Sequence, residues 1–332
     1  MRDYFRAHEA EARLFAVLAA LTLFLGFASP SFLTAGNFAS LMNNNAVNVI
    51  WAVGLLAVLI SGGIDISFAV AASVAQYLAA LALQAVGGGG WGLGLLFAGA
   101  FGIAIGCVNA ALIAGFRIIS IVVTIATFNA LFGLLMFMTS GVSIYDLPDW
   151  WTDRVAVVSL GAGAALTLPT LAMVAAMAAT WFLISRTNIG RQLYAFGDNP
   201  EGARRAGVPT VKIQFVAYGW MGLMAGIGGL MQVNIAQEVV PNALIGRELD
   251  VLAAVVLGGA RLGGGRGSVL GCFLGVALVA ILQNGLNLIG VSPYAFRIVI
   301  GLTILAAISL SNVDLGALLA RRARKRGHVP ID

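Results

Sequence analysis

The stretch LFAVLAALTLFLGFA, from Leu14 to Ala28, holds fifteen residues whose only polar side chain is the hydroxyl of Thr22. Apolar residues would occupy both faces of an extended strand here, so the run lacks the alternation at every second residue that marks a barrel strand. Hydrocarbon offers no water to backbone N–H and C=O groups, which leaves helices and closed barrels as the only spanning structures. The run is therefore read as a membrane helix. Its composition is that of the whole chain: 60% of the 332 residues are hydrophobic, 10% are charged, and the mean hydropathy is +0.95, far outside soluble usage. The fold class expected is all-α, a polytopic bundle of transmembrane helices.

With about 20 apolar residues needed per helical span, ten candidates follow, near 14–34, 38–60, 66–86, 91–115, 118–139, 166–184, 213–235, 249–260, 268–289 and 294–311. The eighth is short enough to be tilted, buried by its neighbours or partly re-entrant. Lys and Arg set the orientation. Ten spans put both termini on one side, and the closing run RRARKR (Arg321 to Arg326) places that side in the cytoplasm. Sixteen of the nineteen basic residues then fall in cytoplasmic segments, with Arg154, Arg247 and Arg297 as the exceptions. Residues 1–332 thus read as a single transmembrane domain whose longest cytoplasmic connection is 186–212. The net charge of +5 reports orientation in a membrane, and no basic face with aromatic platforms points to nucleic acid. Arg2, Arg6 and Arg13 ahead of the first run also fit a signal peptide; a retained first span is the simpler reading.

The longest outer connection, Ser140 to Ala165, contains SGVSIYDLPDWWTDR. Trp150 and Trp151 beside three aspartates allow two readings, an aromatic belt at the lipid headgroups or a docking surface for an extracytoplasmic partner. Cys107 and Cys272 lie inside spans with no ligand-type neighbours, and read as inert small hydrophobes with no metal between them. Glycines in the spans, Gly222 and Gly226 among them, let helices approach closely where lipid supplies no hydrophobic drive to packing.

Catalysis has no foothold. His8 and His328 lie at the termini, and the chain has no HExxH, GxSxG or matched Ser/His/Asp set. The glycine-rich LGGARLGGGRGS (Leu257 to Ser268) lacks the GK[ST] ending of a phosphate loop, and the only lysines, Lys212 and Lys325, are far from it. It reads as a tight cytoplasmic turn, so any ATP used would be hydrolysed on another subunit.

Polar residues inside the spans are costly and should face a cavity or each other. Asn44 and Asn48 lie four apart on one face of span two, with Asn45 beside them. Thr124, Thr127 and Asn129 mark span five, Gln76 span three, and Gln283, Asn284 and Asn287 span nine. Amides and hydroxyls give and take hydrogen bonds without net charge, which suits a neutral, hydroxyl-rich solute; each residue taken alone also fits interhelical glue. Asp65, in SGGIDIS, can cap span three through the N–H of Ser67 or Phe68, or serve as a gate. An ion-coupled carrier or channel working without an ATPase is the rival class, and a single acid near the middle of the apolar sequence argues against it.

One compact charged segment remains: GDNPEGARRAGVPTVK, from Gly197 to Lys212. Asn199 or Asp198 is a good N-cap and Pro200 suits the first helical position. Glu201 complements the N-terminus, and Gly207 followed by Pro209 ends the helix. The product is a helix of about two turns with Arg204 and Arg205 on its exposed side, too short to stand without a partner surface.

With SGGIDIS (Ser61 to Ser67), GCVNAALIAGF (Gly106 to Phe116), VVLGGARLGGGRGSVLG (Val255 to Gly271) and LQNGLNLIGV (Leu282 to Val291), that segment resembles permease subunits of bacterial sugar ABC importers of the ribose, xylose and galactoside type, a group that includes autoinducer-2 permeases. The resemblance covers nearly the whole chain. It implies an inner-membrane permease of about ten spans. Asn199 to Val208 would be the coupling helix, with Asn199, Pro200, Glu201, Ala203, Arg204 and Gly207 set toward a cytoplasmic ATP-binding subunit. It further implies a second permease copy, identical or not, a periplasmic solute-binding protein, and no cofactor on this chain because ATP is used by the partner. Asn44, Asn48, Thr127, Asn284 and Asn287 are the residues expected along the solute path, with Asp65 as a gate. The sequence departs from the family pattern in three places. FRIISIVVT (Phe116 to Thr124) has no proline, Gly202 stands where alanine is common, and Ile66 stands where leucine is common.

Overall fold

In the computed structural model, residues 9–161 and 163–292 are described, with Ala295, Ile298, Gly301 and Leu302 beyond them. The rest of the tenth expected span and the RRARKR run lie outside the described residues. The chain runs α1 (Glu9–Ala28), α2 (Ala35–Ile60), α3 (Phe68–Ala85), α4 (Trp91–Phe116), α5 (Ser120–Thr139) and the single turn α6 (Asp149–Thr152). A two-stranded antiparallel hairpin follows, β1 (Ala156–Gly161) and β2 (Ala164–Thr167). Then come α7 (Leu168–Arg186), α8 (Asn188–Asp198), α9 (Pro200–Arg205), α10 (Thr210–Ala236), α11 (Arg247–Leu257) and α12 (Val269–Leu288). Eight of these, α1 to α5, α7, α10 and α12, are long and apolar enough to cross a membrane. The bundle is all-α in its spans, and the hairpin is an addition to what the sequence led one to expect. Valines at 155, 157 and 158 favour extended backbone, and Gly161 and Gly163, at φ +83° and +77°, supply the turn.

Two helices form the centre. From Ala46 to Ile60 every residue of α2 except Asn48 is buried, and α10 packs against α2, α3 and α4. The α4–α10 seam is made of small residues at helical spacing. A methyl group at Gly102 would lie 2.1 Å from the carbonyl oxygen of Gly222, and one at Gly226 would lie 2.0 Å from that of Ala98. Backbones approach this closely only without side chains between them, which is how membrane helices gain packing contacts. By contrast α1 and α5 present large apolar side chains outward, Phe27 and Phe137 among them, as lipid-facing helices do.

The eighth expected span, short and placed at 249–260, is a half-helix: the chain after α10 runs without regular helix from Gln237 to Gly246 and only then forms α11. Eleven residues rise about 16 Å, roughly half of a hydrocarbon core. The half-helix begins inside the bundle, where the Arg247 guanidinium sits 6.0 Å from the Trp51 ring in the middle of α2. The irregular run is not left bare, since Val239 and Ile144 exchange both backbone hydrogen bonds at 3.0 Å.

The two ends of the bundle differ. One carries the hairpin, α6 and the C-terminus of α10. Trp151 is fully buried there, its indole N–H donating to the Leu230 carbonyl at 2.9 Å, while the Asn234 amide donates to the carbonyls of Trp151 and Asp153. That placement removes Trp151 from any headgroup belt; it is a plug that fastens the connection to α10. The opposite end carries α8, α9, the α2–α3 connection and the glycine-rich loop before α12.

Candidate functional site

A groove opens between α2, α11 and α12 in the half of the bundle nearer the hairpin. Its deeper chamber, about 250 Å³, is lined by Asn44, Asn45, Asn48, Arg247, Asp250 and Gln283, over an apolar underside that includes Val251, Ala254, Val276 and Val279. A wider mouth of about 510 Å³ shares Asn44, Asn45 and Gln283 and adds Ser40, Asn284 and Asn287. Helical spacing explains the convergence: Asn44 and Asn48, and Asn284 and Asn287, each sit about one turn apart on one face. Several amides have partners. Asn37 and Asn284 exchange hydrogen bonds at 3.0 and 2.9 Å, tying α2 to α12. Asn48 donates to the Asn45 oxygen at 3.3 Å, which leaves its own buried Oδ1 without a protein donor.

At the other end, α9 is built as its local sequence dictates. The Asn199 side chain accepts from the Gly202 N–H at 2.8 Å, Pro200 opens the helix, and Ala203 is buried beneath it. Glu201 meets Arg204 at 2.8 Å and Arg205 at 3.1 Å, all three exposed. Hydrogen bonds from Arg204 and then Arg205 hold the Glu201 carboxyl below its ordinary range. Gly207, at φ +82°, turns the chain so that the Val208 N–H reaches the Ala203 carbonyl.

Immediately before α9, three backbones touch through glycines. The Gly265 N–H donates to the Ile60 carbonyl at 2.9 Å, and a methyl at Gly197 would lie 1.8 Å from that same oxygen. A methyl at Gly264 would lie 2.6 Å from the Gly197 oxygen and 2.8 Å from the Gly62 Cα. The Tyr194 hydroxyl of α8 adds a 2.7 Å bond to the Gly267 carbonyl, and burial pushes it up to about 12. The end of α2, the approach to α9 and the loop joining α11 to α12 therefore meet at one junction.

Residues 37–308 match the family model described as "Branched-chain amino acid transport system / permease component". The ribose import permease protein RbsC of Escherichia coli (strain K12) is 32% identical over 316 residues, covering 94% of this chain and 97% of that one. That of Bacillus subtilis (strain 168) is 32% identical over 292 residues, 88% and 89% of the two chains. The galactose/methyl galactoside import permease protein MglC of E. coli (strain K12) is 28% identical over 324 residues, 93% and 96% of the two chains. This chain belongs to the transport-system permease component family. No solved structure shows significant similarity to it.

Both the groove and the α9 end of this permease fall inside the matched region. Of the residues expected along a path, Asn44, Asn48, Asn284 and Asn287 come together in the groove, and Thr127 and Asp65 do not. Thr127 is buried on α5, away from α2, α11 and α12. Asp65 lies in the α2–α3 connection, where its Oδ1 accepts from the Ser67 N–H and hydroxyl, both at 2.7 Å. Asn109 of α4 donates to that hydroxyl at 2.8 Å, so the carboxyl fastens a turn in the permease and does not face the groove. Burial raises the Asp65 carboxyl above its ordinary range, against the lowering pull of the two Ser67 bonds. Arg247 and Asp250 line the groove without having been expected there. Their signal was the charge run RELD (Arg247 to Asp250) at the start of the short eighth span, of which only Arg247 was noted, as a basic residue outside the cytoplasmic segments.

Proposed function

We propose that this permease forms the translocation path of an ATP-driven importer for a small neutral sugar or sugar-like solute in a bacterial inner membrane. The observation that carries the reading is the groove, where amides from α2 and α12 converge, because neutral donors and acceptors at membrane depth serve a hydroxyl-bearing solute better than an ion. The names of the ribose and galactose relatives support a sugar over the amino acid in the family description. In this reading the hairpin end faces the periplasm and receives solute from a binding protein, and both termini lie in the cytoplasm. The chain binds no cofactor and does not hydrolyse ATP.

On the cytoplasmic side α9 is the coupling helix. Asn199 and Pro200 start it, Glu201 holds Arg204 in place, Ala203 anchors it to the bundle and Gly207 ends it, leaving the exposed arginines for a separate ATP-binding subunit. A second permease copy completes the path. The test is uptake of labelled D-ribose and D-galactose by cells that express the permease together with an ATP-binding subunit and a solute-binding protein of a ribose-type importer. Uptake that stops on ATP depletion and persists when ion gradients are collapsed is the expected result. Uptake that follows the ion gradients in ATP-depleted cells would instead establish the ion-coupled carrier.

A further inference from the structure

The groove carries two charges that a path built from amides does not require. Arg247 and Asp250 stand three residues apart on α11, hence on one face of the half-helix, and both line the deeper chamber. Gln232 of α10 accepts from the guanidinium's Nη1 at 2.8 Å and the Trp51 ring lies 6.0 Å away, and neither residue lines the chamber. Its charge and that of Asp250 interact. Glu248, the third charge of the run, turns back onto the Gly246 N–H and does not line the chamber. The chamber thus contains one positive and one negative side chain, three asparagines, and the buried, unpartnered Asn48 oxygen.

We propose that Arg247 and Asp250 form the solute-binding pair of this groove and select a single neutral sugar ring with adjacent hydroxyls. This rests on the reading of the groove as the solute path. A guanidinium presents N–H donors in a planar fork and a carboxylate presents acceptors on two oxygens, so together they address neighbouring hydroxyls as acceptor and donor. The amides of Asn44 and Asn48 complete the ring of polar contacts, and Val276, Val279 and Ala254 face the sugar's C–H surface. A volume of about 250 Å³ is near the lower limit of roughly 300 Å³ for ligand pockets, which fits one ring and not two. Charge balance supplies the selectivity. An ionic solute of either sign would pair with the opposite charge and leave the other uncompensated, which is costly, while a neutral one leaves the pair matched.

The test is thiol labelling of full-length permease in intact cells, which needs no ATPase cycle, so its failure is distinct from a failure of ATP-driven uptake. In a Cys107→Ala, Cys272→Ala background, Val279→Cys places a reporter on the chamber wall. Neutral, cationic and anionic methanethiosulfonates are added from outside, and each rate is normalised to that of a free thiol. We expect both charged reagents to react at least tenfold more slowly than the neutral one. Asp250→Asn should leave the cationic reagent slow and bring the anionic one to within about threefold of the neutral rate; Arg247→Gln should leave the anionic reagent slow and do the same for the cationic one. The conservative variants Arg247→Lys and Asp250→Glu should keep the original pattern, and size-exclusion profiles identify any variant that has not folded. D-ribose, D-xylose, D-galactose or D-glucose, at least one of the four, should slow the neutral reagent threefold or more, and lose that effect in the Arg247→Gln, Asp250→Asn double variant. Rates insensitive to the charge changes, no labelling by any reagent, or protection by none of the four sugars would overturn the proposal.

Discussion

A methyl group on Gly197 would stand 1.8 Å from the Ile60 carbonyl oxygen and 2.7 Å from the Gly265 nitrogen, both main-chain atoms that cannot step aside. Gly197→Ala should therefore cost roughly 3 kcal/mol or more, read as a fall of about 5 °C or more in the unfolding midpoint in detergent. Gly207 offers the contrast. Its surroundings are open, so Gly207→Ala should cost only the 1–2 kcal/mol or so of a left-handed alanine. Equal midpoints for the two variants would show that the junction is not tightly closed. Asp65 gives a prediction in pH. Its folded-state carboxyl is raised by burial, with the Tyr218 hydroxyl nearby and two bonds from Ser67 opposing the shift. The stability this contributes is fully present below the ordinary carboxylate value of the unfolded chain, and it is lost as pH rises from there through the raised folded-state value. Asp65→Asn keeps an acceptor for Ser67 and removes the ionisation, so its midpoint should lose that part of the pH dependence above the ordinary carboxylate range. An unchanged slope would show that Asp65 does not titrate there.

At the scale of elements, α9 was legible because capping is local: Asn199, Pro200 and Gly207 each follow rules that span only four residues or so. The half-helix was legible only as a short segment at 249–260 that could be tilted, buried or partly re-entrant. Its start depends on Gln237 to Gly246 staying irregular, and that run is secured by Val239 pairing with Ile144, a partner almost a hundred positions away. Helical spacing put Asn44 with Asn48 correctly, but spacing within one helix says nothing of which helices face each other, so Thr127 was grouped with residues it never meets. The Asn37–Asn284 pair tests how far glue and path overlap. Either Asn37→Leu or Asn284→Leu alone should destabilise by about 1 kcal/mol, and the double variant by less than the sum, as thermal midpoints of the four proteins would reveal. In the double variant uptake should still fall, because the mouth of the groove loses the Asn284 amide; full uptake would make the pair structural only.

For the whole molecule, composition alone led to a helical membrane bundle, and the positive-inside rule gave it a direction. That direction is checkable. A cysteine at Val158, on the exposed strand β1, should react with an impermeant reagent in intact cells, and one at Arg205 only after permeabilisation; the reverse pattern would invert the topology. What composition could not give is the arrangement that joins the two working ends. From Ile60, at the glycine junction, to Asn48, on the groove wall, α2 runs unbroken for twelve residues, about 18 Å. The segment is sheathed in neighbours almost throughout. A tilt of about 10° at the junction would carry the Asn48 amide roughly 3 Å, as far as the length of a hydrogen bond. Under the proposed coupling role, a small rocking of α9 passed to this junction would be enough to change which groups a solute can hold, and α2 would then be a lever whose short stroke at one end is a released grip at the other.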